Sequence, residues 1–375
     1  MKILYISLLD WFITKQRPQH LAEQLSKFHE VHYFNVLPFN NSEMNRHNDN
    51  DVITKTHIKL NERLTITRKR VLPKNSLRFI RIVNDFLLKK YLKLVLKVHD
   101  FDVIWLSHPS QFRLIPKEYL GKIIYDCMDK YDEFSKDKTQ LKQFYKIESE
   151  LIARSDLMLA SSKGLLEDLK TKGASNAHLI NNAALFDLFN VDRAVTACPP
   201  EIDQNTKNIG YFGGIGAWFD TDLLVSLATR LPNVNFVIIG PISEKSVVEK
   251  TRSFSNIHLL GTRIFSDIPS YLSQFDVCLL PFQVNELIRY VDPVKVYEYL
   301  SAGKPAVVPK YDEILKFSKY VYISDSAESF YQNVLKALSE NNEALKDQRI
   351  KFASENTWPI RAAKVNELLK LLTDE

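Results

Sequence analysis

A chain of 375 residues, 45% of them hydrophobic, is long enough to build two cores of ordinary domain size. Its three cysteines, Cys127, Cys198 and Cys278, are scattered, which excludes a disulfide framework or a cysteine-rich metal site and fits a reducing cytosol. No apolar run reaches membrane-spanning length, and the formal net charge of +5 is unevenly placed, so any membrane contact is expected from the surface.

Residues 2–6 read as a largely apolar strand whose one basic residue is Lys2, and Asp10 and a charged helix follow closely, which is not the build of a signal peptide. After a loop with Trp11, Pro18 suits the first turn of a helix whose face is marked by Leu21 and Leu25, and residues 31–36 read as the next strand. Arg17, at that helix start, is either an exposed charge or a side chain able to reach a diphosphate.

Between Asp51 and Asp100, 13 Lys and Arg stand against 4 Asp and Glu, a local excess of +9. Apolar residues from Leu77 to Leu96 interleave with them, so residues 55–97 carry a basic amphipathic pattern suited to an anionic membrane surface. The plainer reading is a helix packed on a sheet with its charges in water. Nucleic acid is not expected, because no recognisable nucleic-acid module surrounds the patch.

Residues 102–106 and 122–125 read as apolar strands with titratable groups at their carboxyl ends: His108 after the first, Asp126 and Asp129 after the second. In open parallel sheets that edge receives ligands. Asp129 can take the proton of an acceptor hydroxyl, His108 can bind a donor sugar or assist transfer, and Asp126 can contact acceptor or phosphate. Equally, the aspartates can cap the next helix and His108 can be a satisfied strand-end histidine. Strands at 157–160 and 178–181 and helices at 147–154 and 163–171 complete a first domain, residues 1–191.

Residues 192–208, with Pro199-Pro200, read as a linker, and a second domain follows over 208–356. Gly213, Gly214 and Gly216 come after a strand and before a helix at 220–231, so backbone can approach a phosphate there. The cluster lacks the acidic partner of the dinucleotide fingerprint. Strand 234–239, helix 243–252 and strand 257–260 lead to Arg263, able to stack on a base or touch phosphate, or to be an ordinary strand-end arginine, and to Ile264.

A continuous apolar strand at 276–282 precedes a loop and then the run from Asp292 to Val308. Asp292 is expected to cap a helix that starts at Pro293 and ends at Gly303, with a buried strand at 305–308. Lys295 and Glu298, three apart, share one helix face. Lys295 and the helix-start amides, Val294 among them, suit phosphates, and Glu298 can accept a sugar's hydroxyl protons; the alternative is a solvated ion pair. Helices at 326–338, 343–353 and 358–372 end the chain.

The Asp292–Val308 run resembles the signature helix of family 4 glycosyltransferases with the B-type fold. Trp11 with Arg17-Pro18-Gln19-His20-Leu21-Ala22 resembles members that build bacterial cell-surface polysaccharides, the teichuronic acid type included. The resemblance implies an α/β architecture of two doubly wound, Rossmann-like domains facing a cleft, with residues 357–375 crossing back as a helix onto the first. It implies a nucleotide sugar, a UDP-sugar favoured, on the second domain, with Glu298 holding the ribose and the base beside backbone at Ile264. A saccharide or lipid-linked saccharide acceptor would sit on the first domain. The family's other glutamate falls here on Tyr290, and no Arg or Lys stands between Gly213 and Asp220.

No cofactor and no metal are expected, since no Asp-X-Asp motif follows a suitable strand. Family likeness favours retention of the anomeric configuration, whereas a true base at Asp129 favours inversion. The expected place is the cytoplasm, or the periphery of the cell membrane's inner face. The competing function class is a catalytically silent relative that binds a membrane surface or a partner transferase.

Overall fold

The computed structural model describes residues 1–12, 15–38, 56–74, 77–134, 137–192 and 196–373; Lys55 of the basic stretch lies outside them. Eight strands form one sheet: β1 Lys2–Ser7, β2 Glu30–Pro38, β3 His57–Asn61, β4 Leu64–Val71, β5 Val103–Leu106, β6 Lys122–Cys127, β7 Leu157–Ala160 and β8 Ala177–Leu179. Their order is β3-β4-β2-β1-β5-β6-β7-β8. Every neighbouring pair is parallel except β3 with β4.

The second sheet holds β9 Lys207–Phe212, β10 Val234–Ile239, β11 Ile257–Gly261, β12 Val277–Leu279, β13 Ala306–Pro309 and β14 Tyr322–Ser324. Its order is β11-β10-β9-β12-β13-β14, all parallel. Strands such as β5, β7 and β13 are buried at every position. That follows from their sequences: continuous apolar runs have no polar face to offer water, so both faces must be covered. In each sheet the order reverses beside one strand, β1 in the first and β9 in the second, and the crevice beyond the carboxyl ends there is the ligand position of such folds.

The chain divides into two compact units, residues 1–181 with 361–375, and residues 182–360. The sequence places the linker at 192–208 and the crossing helix at 357–375. The divisions fall at 181/182 and inside the helix Trp358–Thr373. Within the first unit, Arg361 Nε and Lys364 Nζ donate to the carbonyls of Asn181 and Leu179 at 3.1 and 3.2 Å.

Two local expectations are corrected. The basic stretch does not run as one amphipathic segment: its first part is the β3-β4 hairpin, and only Arg78–Val98 is helical. Asp292 does not cap the signature helix, Val294–Ser301; Pro293 occupies the cap position without a side-chain hydrogen bond. The reason is competition for the carboxylate, which accepts from the Asn182 amide at 2.7 Å, Lys316 Nζ at 2.7 Å and Tyr297 hydroxyl at 3.2 Å.

The helix end is as expected. Gly303 takes φ +67°, where only glycine is unstrained, and the amides of Gly303 and Lys304 return to the carbonyls of Leu300 and Tyr299 at 3.0 and 3.1 Å. This stop turns the chain directly into β13.

Candidate active site

In the first unit, His108 follows β5 and Asp126, Cys127 and Asp129 lie at or after the end of β6, so neighbouring strands deliver them to one edge. His108 caps a 3-10 helix, Pro109–Leu114: its Nδ1 accepts the Ser110 amide at 3.1 Å and lies 2.8 Å from the Ser110 hydroxyl. That lone pair being used, the ring proton sits on Nε2, which is left as a donor. Burial pushes the His108 pKa down to about 4, helped by the charge of Arg113, so the ring is neutral near pH 7. Capping and ligand binding are therefore compatible in one residue. The ring packs edge-on against Tyr131 at 4.3 Å, and the Tyr131 hydroxyl reaches the Ser107 carbonyl at 2.7 Å, fixing the turn after β6 to the end of β5.

Asp129 is half-buried, and its carboxylate takes no hydrogen bond from any described residue. Burial raises its pKa to about 6, against a lowering by Arg17. A carboxylate held there is ionised at pH 7 yet basic enough to accept a proton. Asp126, by contrast, is fully buried and committed: Arg17 Nε and Nη2 bind it at 3.0 and 2.8 Å, while Arg17 Nη1 donates to the Ile180 carbonyl at 2.6 Å. Arg17 is thus not an exposed helix-start charge. It is a strut joining the first helix, Arg17–Leu25, to β6 and the end of β8.

Sequence reasoning missed a second strut at the β1 switch point. Asp10 accepts Arg68 Nε at 2.9 Å, Asn35 Nδ2 at 2.9 Å and the Phe12 amide at 3.0 Å. Arg68 was counted in the basic stretch; it is 1% exposed.

In the second unit the switch point is built from the ends of β9 and β10 and the start of the signature helix. Gly213 has φ +151°, and a Cβ there would meet the Tyr211 hydroxyl at 2.7 Å and Lys295 Cε at 3.2 Å. The lysine stem therefore lies against the glycine loop, and its Nζ stands 5.0 Å over the Phe212 ring. Gly240 approaches the Gly213 carbonyl so closely that no side chain fits between the ends of β9 and β10.

The loop's peptide planes are pinned individually. The Gly213 and Ile215 amides donate to the carbonyls of Ile239 and Pro241, each at 2.9 Å. The Gly214 carbonyl accepts Tyr211 hydroxyl at 2.9 Å and Trp218 Nε1 at 3.2 Å. The Gly214 amide between them has no partner among the described residues. The Tyr211 and Trp218 clamp had no signal in the sequence.

Glu298 is 2% exposed. One carboxylate oxygen accepts Lys295 Nζ at 3.0 Å; the other takes no hydrogen bond from any described residue. Burial raises the Glu298 pKa, opposed by Lys295. The pair is therefore no solvated surface pair: it holds a desolvated carboxylate with spare acceptor capacity at a helix start, beside the glycine loop. Val294 opens that helix with amides that have no helical acceptor.

Arg263 and Ile264 lie beyond β11, at the edge of the sheet. Arg263 is engaged by Tyr271 hydroxyl at 3.0 Å, Glu201 at 2.8 Å and the Leu260 carbonyl. Ile264 exposes 63% of its surface. Tyr290, where the resembled family has glutamate, ends the short helix Glu286–Arg289, whose Glu286 is paired with Arg289 at 3.0 Å. Among the described residues no group of three His, Cys, Asp or Glu is placed to hold a metal ion.

Comparison with known proteins adds to this geometry. Residues 206–340 match the model of the glycosyl transferases group 1, and the matched stretch includes the glycine loop, Lys295 and Glu298. A relative from Bacillus subtilis (strain 168), described as the putative teichuronic acid biosynthesis glycosyltransferase TuaH, is 26% identical over 274 residues, 68% of this chain and 68% of that one. Among solved structures, sucrose-phosphate synthase from Thermosynechococcus elongatus is similar with TM-score 0.74 at 11% identity, covering 100% of this chain and 99% of that one. HepE from Anabaena, in complex with UDP and glucose, is similar with TM-score 0.69 at 14% identity, covering 99% of each. The chain thus carries a glycosyl transferase group 1 domain in its second unit and has the two-domain, Rossmann-like GT-B fold.

Proposed function

We propose that this protein transfers a sugar from a nucleoside diphosphate donor, a UDP-sugar favoured, to a saccharide or lipid-linked saccharide acceptor in the synthesis of a bacterial surface polysaccharide. The observation that carries the reading is Glu298, a buried carboxylate whose second oxygen has no partner among the described residues, next to Lys295 and the glycine loop, whose Gly214 amide likewise has none among them. A ribose diol would donate to that oxygen, and the diphosphate would take Lys295, the Gly214 amide and the helix-start amides at Val294. The base would lie by backbone at Ile264. The polysaccharide reading is supported by the teichuronic acid relative, and the UDP-sugar by the UDP and glucose bound to HepE.

The acceptor oxygen attacks the anomeric carbon, the bond to the diphosphate oxygen breaks, and the charge left on the diphosphate is met by Lys295 and the amides. No divalent ion is required, so transfer should survive a chelator. The acceptor's proton goes to Asp129 if configuration inverts, or to the leaving phosphate if it is retained. His108 serves through its Nε2 proton, as a hydrogen-bond donor to a sugar hydroxyl. The protein works in the cytoplasm, at the inner face of the membrane where lipid-linked acceptors are presented.

Melting with UDP, GDP and their sugars tests the donor reading. Ligand at about a hundred times Kd adds roughly 2.7 kcal/mol, an upward shift of a few degrees. Wild type should show that shift with UDP compounds, and Glu298→Ala should lose it while melting normally without ligand. If no nucleotide stabilises the wild type, the silent relative becomes the better reading.

A further inference from the structure

The helix Arg78–Val98 has apolar residues on two opposite sides. Leu88 and Leu92 are buried, and on their side Asn84 exchanges two 3.0 Å hydrogen bonds with the backbone of Leu72. On the other side Phe79, Ile82, Phe86, Lys90, Lys93 and Lys97 recur at intervals of three and four, one stripe at about 100° per residue. Phe79 is 77% exposed, Phe86 66% and Ile82 56%, and the three lysines are exposed as well. The stripe is divided lengthwise: apolar in the first half, cationic in the second. A merely solvated face has no use for a run of aromatic and branched side chains in water.

The topology says which end is which. The helix leads from the carboxyl end of β4 to the amino end of β5, and both strands run in the direction of β1. Its first half therefore lies toward the carboxyl edge of the sheet, the edge that carries His108 and Asp129. Asp85, beside Phe86, is paired at 3.2 Å with Arg113 on the 3-10 helix that His108 caps.

We propose that this stripe docks the protein on an anionic bilayer, Lys90, Lys93 and Lys97 drawing it to the headgroups and Phe79, Ile82 and Phe86 entering the interface. The occupant is a lipid surface because the charge excess is positive and the exposed apolar groups are aligned along one helix, which suits shallow insertion. Docking this way brings the inserted half of the helix, the half toward the edge with His108 and Asp129, to the lipid. Only that purpose rests on the lipid-linked acceptor; the docking itself does not.

Flotation of the purified protein with vesicles of phosphatidylcholine alone, and mixed with phosphatidylglycerol, tests it. Binding should require the anionic lipid and weaken with salt. Lys90→Gln/Lys93→Gln/Lys97→Gln should cut affinity roughly fivefold per lysine. Phe79→Ser/Phe86→Ser should float poorly while still weakening with salt. Phe79→Trp should be quenched by brominated lipid. Because these side chains are exposed, melting without vesicles should be unchanged, which separates lost docking from lost folding.

Unchanged flotation of both multiple variants, or binding without quenching of Phe79→Trp, overturns the proposal. So does a loss of self-association in the phenylalanine variants with no vesicle binding in the wild type, which would make the stripe a contact between copies. UDP-dependent melting of the same variants should match wild type; its absence throughout would sink the donor reading and leave the docking result standing.

Discussion

The two switch points handle buried charge in opposite ways. At the first, Asp10 is matched to Arg68 and Asp126 to Arg17, and each carboxylate is surrounded by donors from distant elements. At the second, Glu298 has one cation, and among the described residues neither its other oxygen nor the amide of Gly214 in the adjoining loop has a partner. A desolvated charge is tolerated when its partners are built in, and where they are not, the fold is holding capacity for something that arrives later. The matched pattern is scaffold; the unmatched one, which Asp129 shares in the first unit, marks a binding site.

The largest effect should come from breaking a scaffold pair. Arg17→Ala or Asp126→Ala leaves an uncompensated buried charge and should cost about 3–5 kcal/mol in denaturant unfolding. If either variant instead melts normally and loses only ligand binding, Arg17 and Asp126 belong to the ligand site after all. Glu298→Gln should show the converse: near-normal stability, with UDP affinity reduced about 10–100-fold by titration calorimetry, since a hydrogen bond to charge is worth roughly 1.5–3 kcal/mol.

Asp129 offers an intermediate test through pH. Its folded pKa of about 6 lies above the ordinary value of 3.8, so the folded state binds its proton more tightly and this group's contribution to stability falls as pH rises from about 4 to 6. His108, lowered from 6.5 to about 4, acts with the opposite sign over much the same window: its contribution is lost as pH falls. The two slopes should offset each other in the wild type. Asp129→Asn should remove one, gaining about 1–2 kcal/mol at pH 7 and nothing near pH 4, while product formation drops. A variant with wild-type turnover excludes Asp129 as the base.

The smallest effect is expected at Arg263. Its ion pair with Glu201 is partly exposed, so Arg263→Ala should cost under about 1 kcal/mol of stability and leave UDP affinity within a few-fold of wild type. A large loss of affinity would show that the arginine leaves Glu201 for the donor.

The architecture was readable because each strand of a covered parallel sheet must be apolar throughout, and each helix stop leaves a local mark. Gly303, the glycine cluster at 213–216 and the strand ends carrying His108 and Asp129 are all local features. The β3-β4 hairpin is not legible because the apolar and threonine alternation of Leu64–Val71 gives way to the run Arg68-Lys69-Arg70, which also serves a charged helix face.

What the sequence alone determined is which residues are present at the two ligand edges, since short-range periodicity fixes where strands end. Only the tertiary structure decided which of them are spent. Arg17 meets Asp126 and Arg68 meets Asp10 across 109 and 58 positions of chain. Nothing in a local window distinguishes a cation that closes such a pair from one left facing a ligand or water, because that choice depends on which distant carboxylate the fold brings within 3 Å.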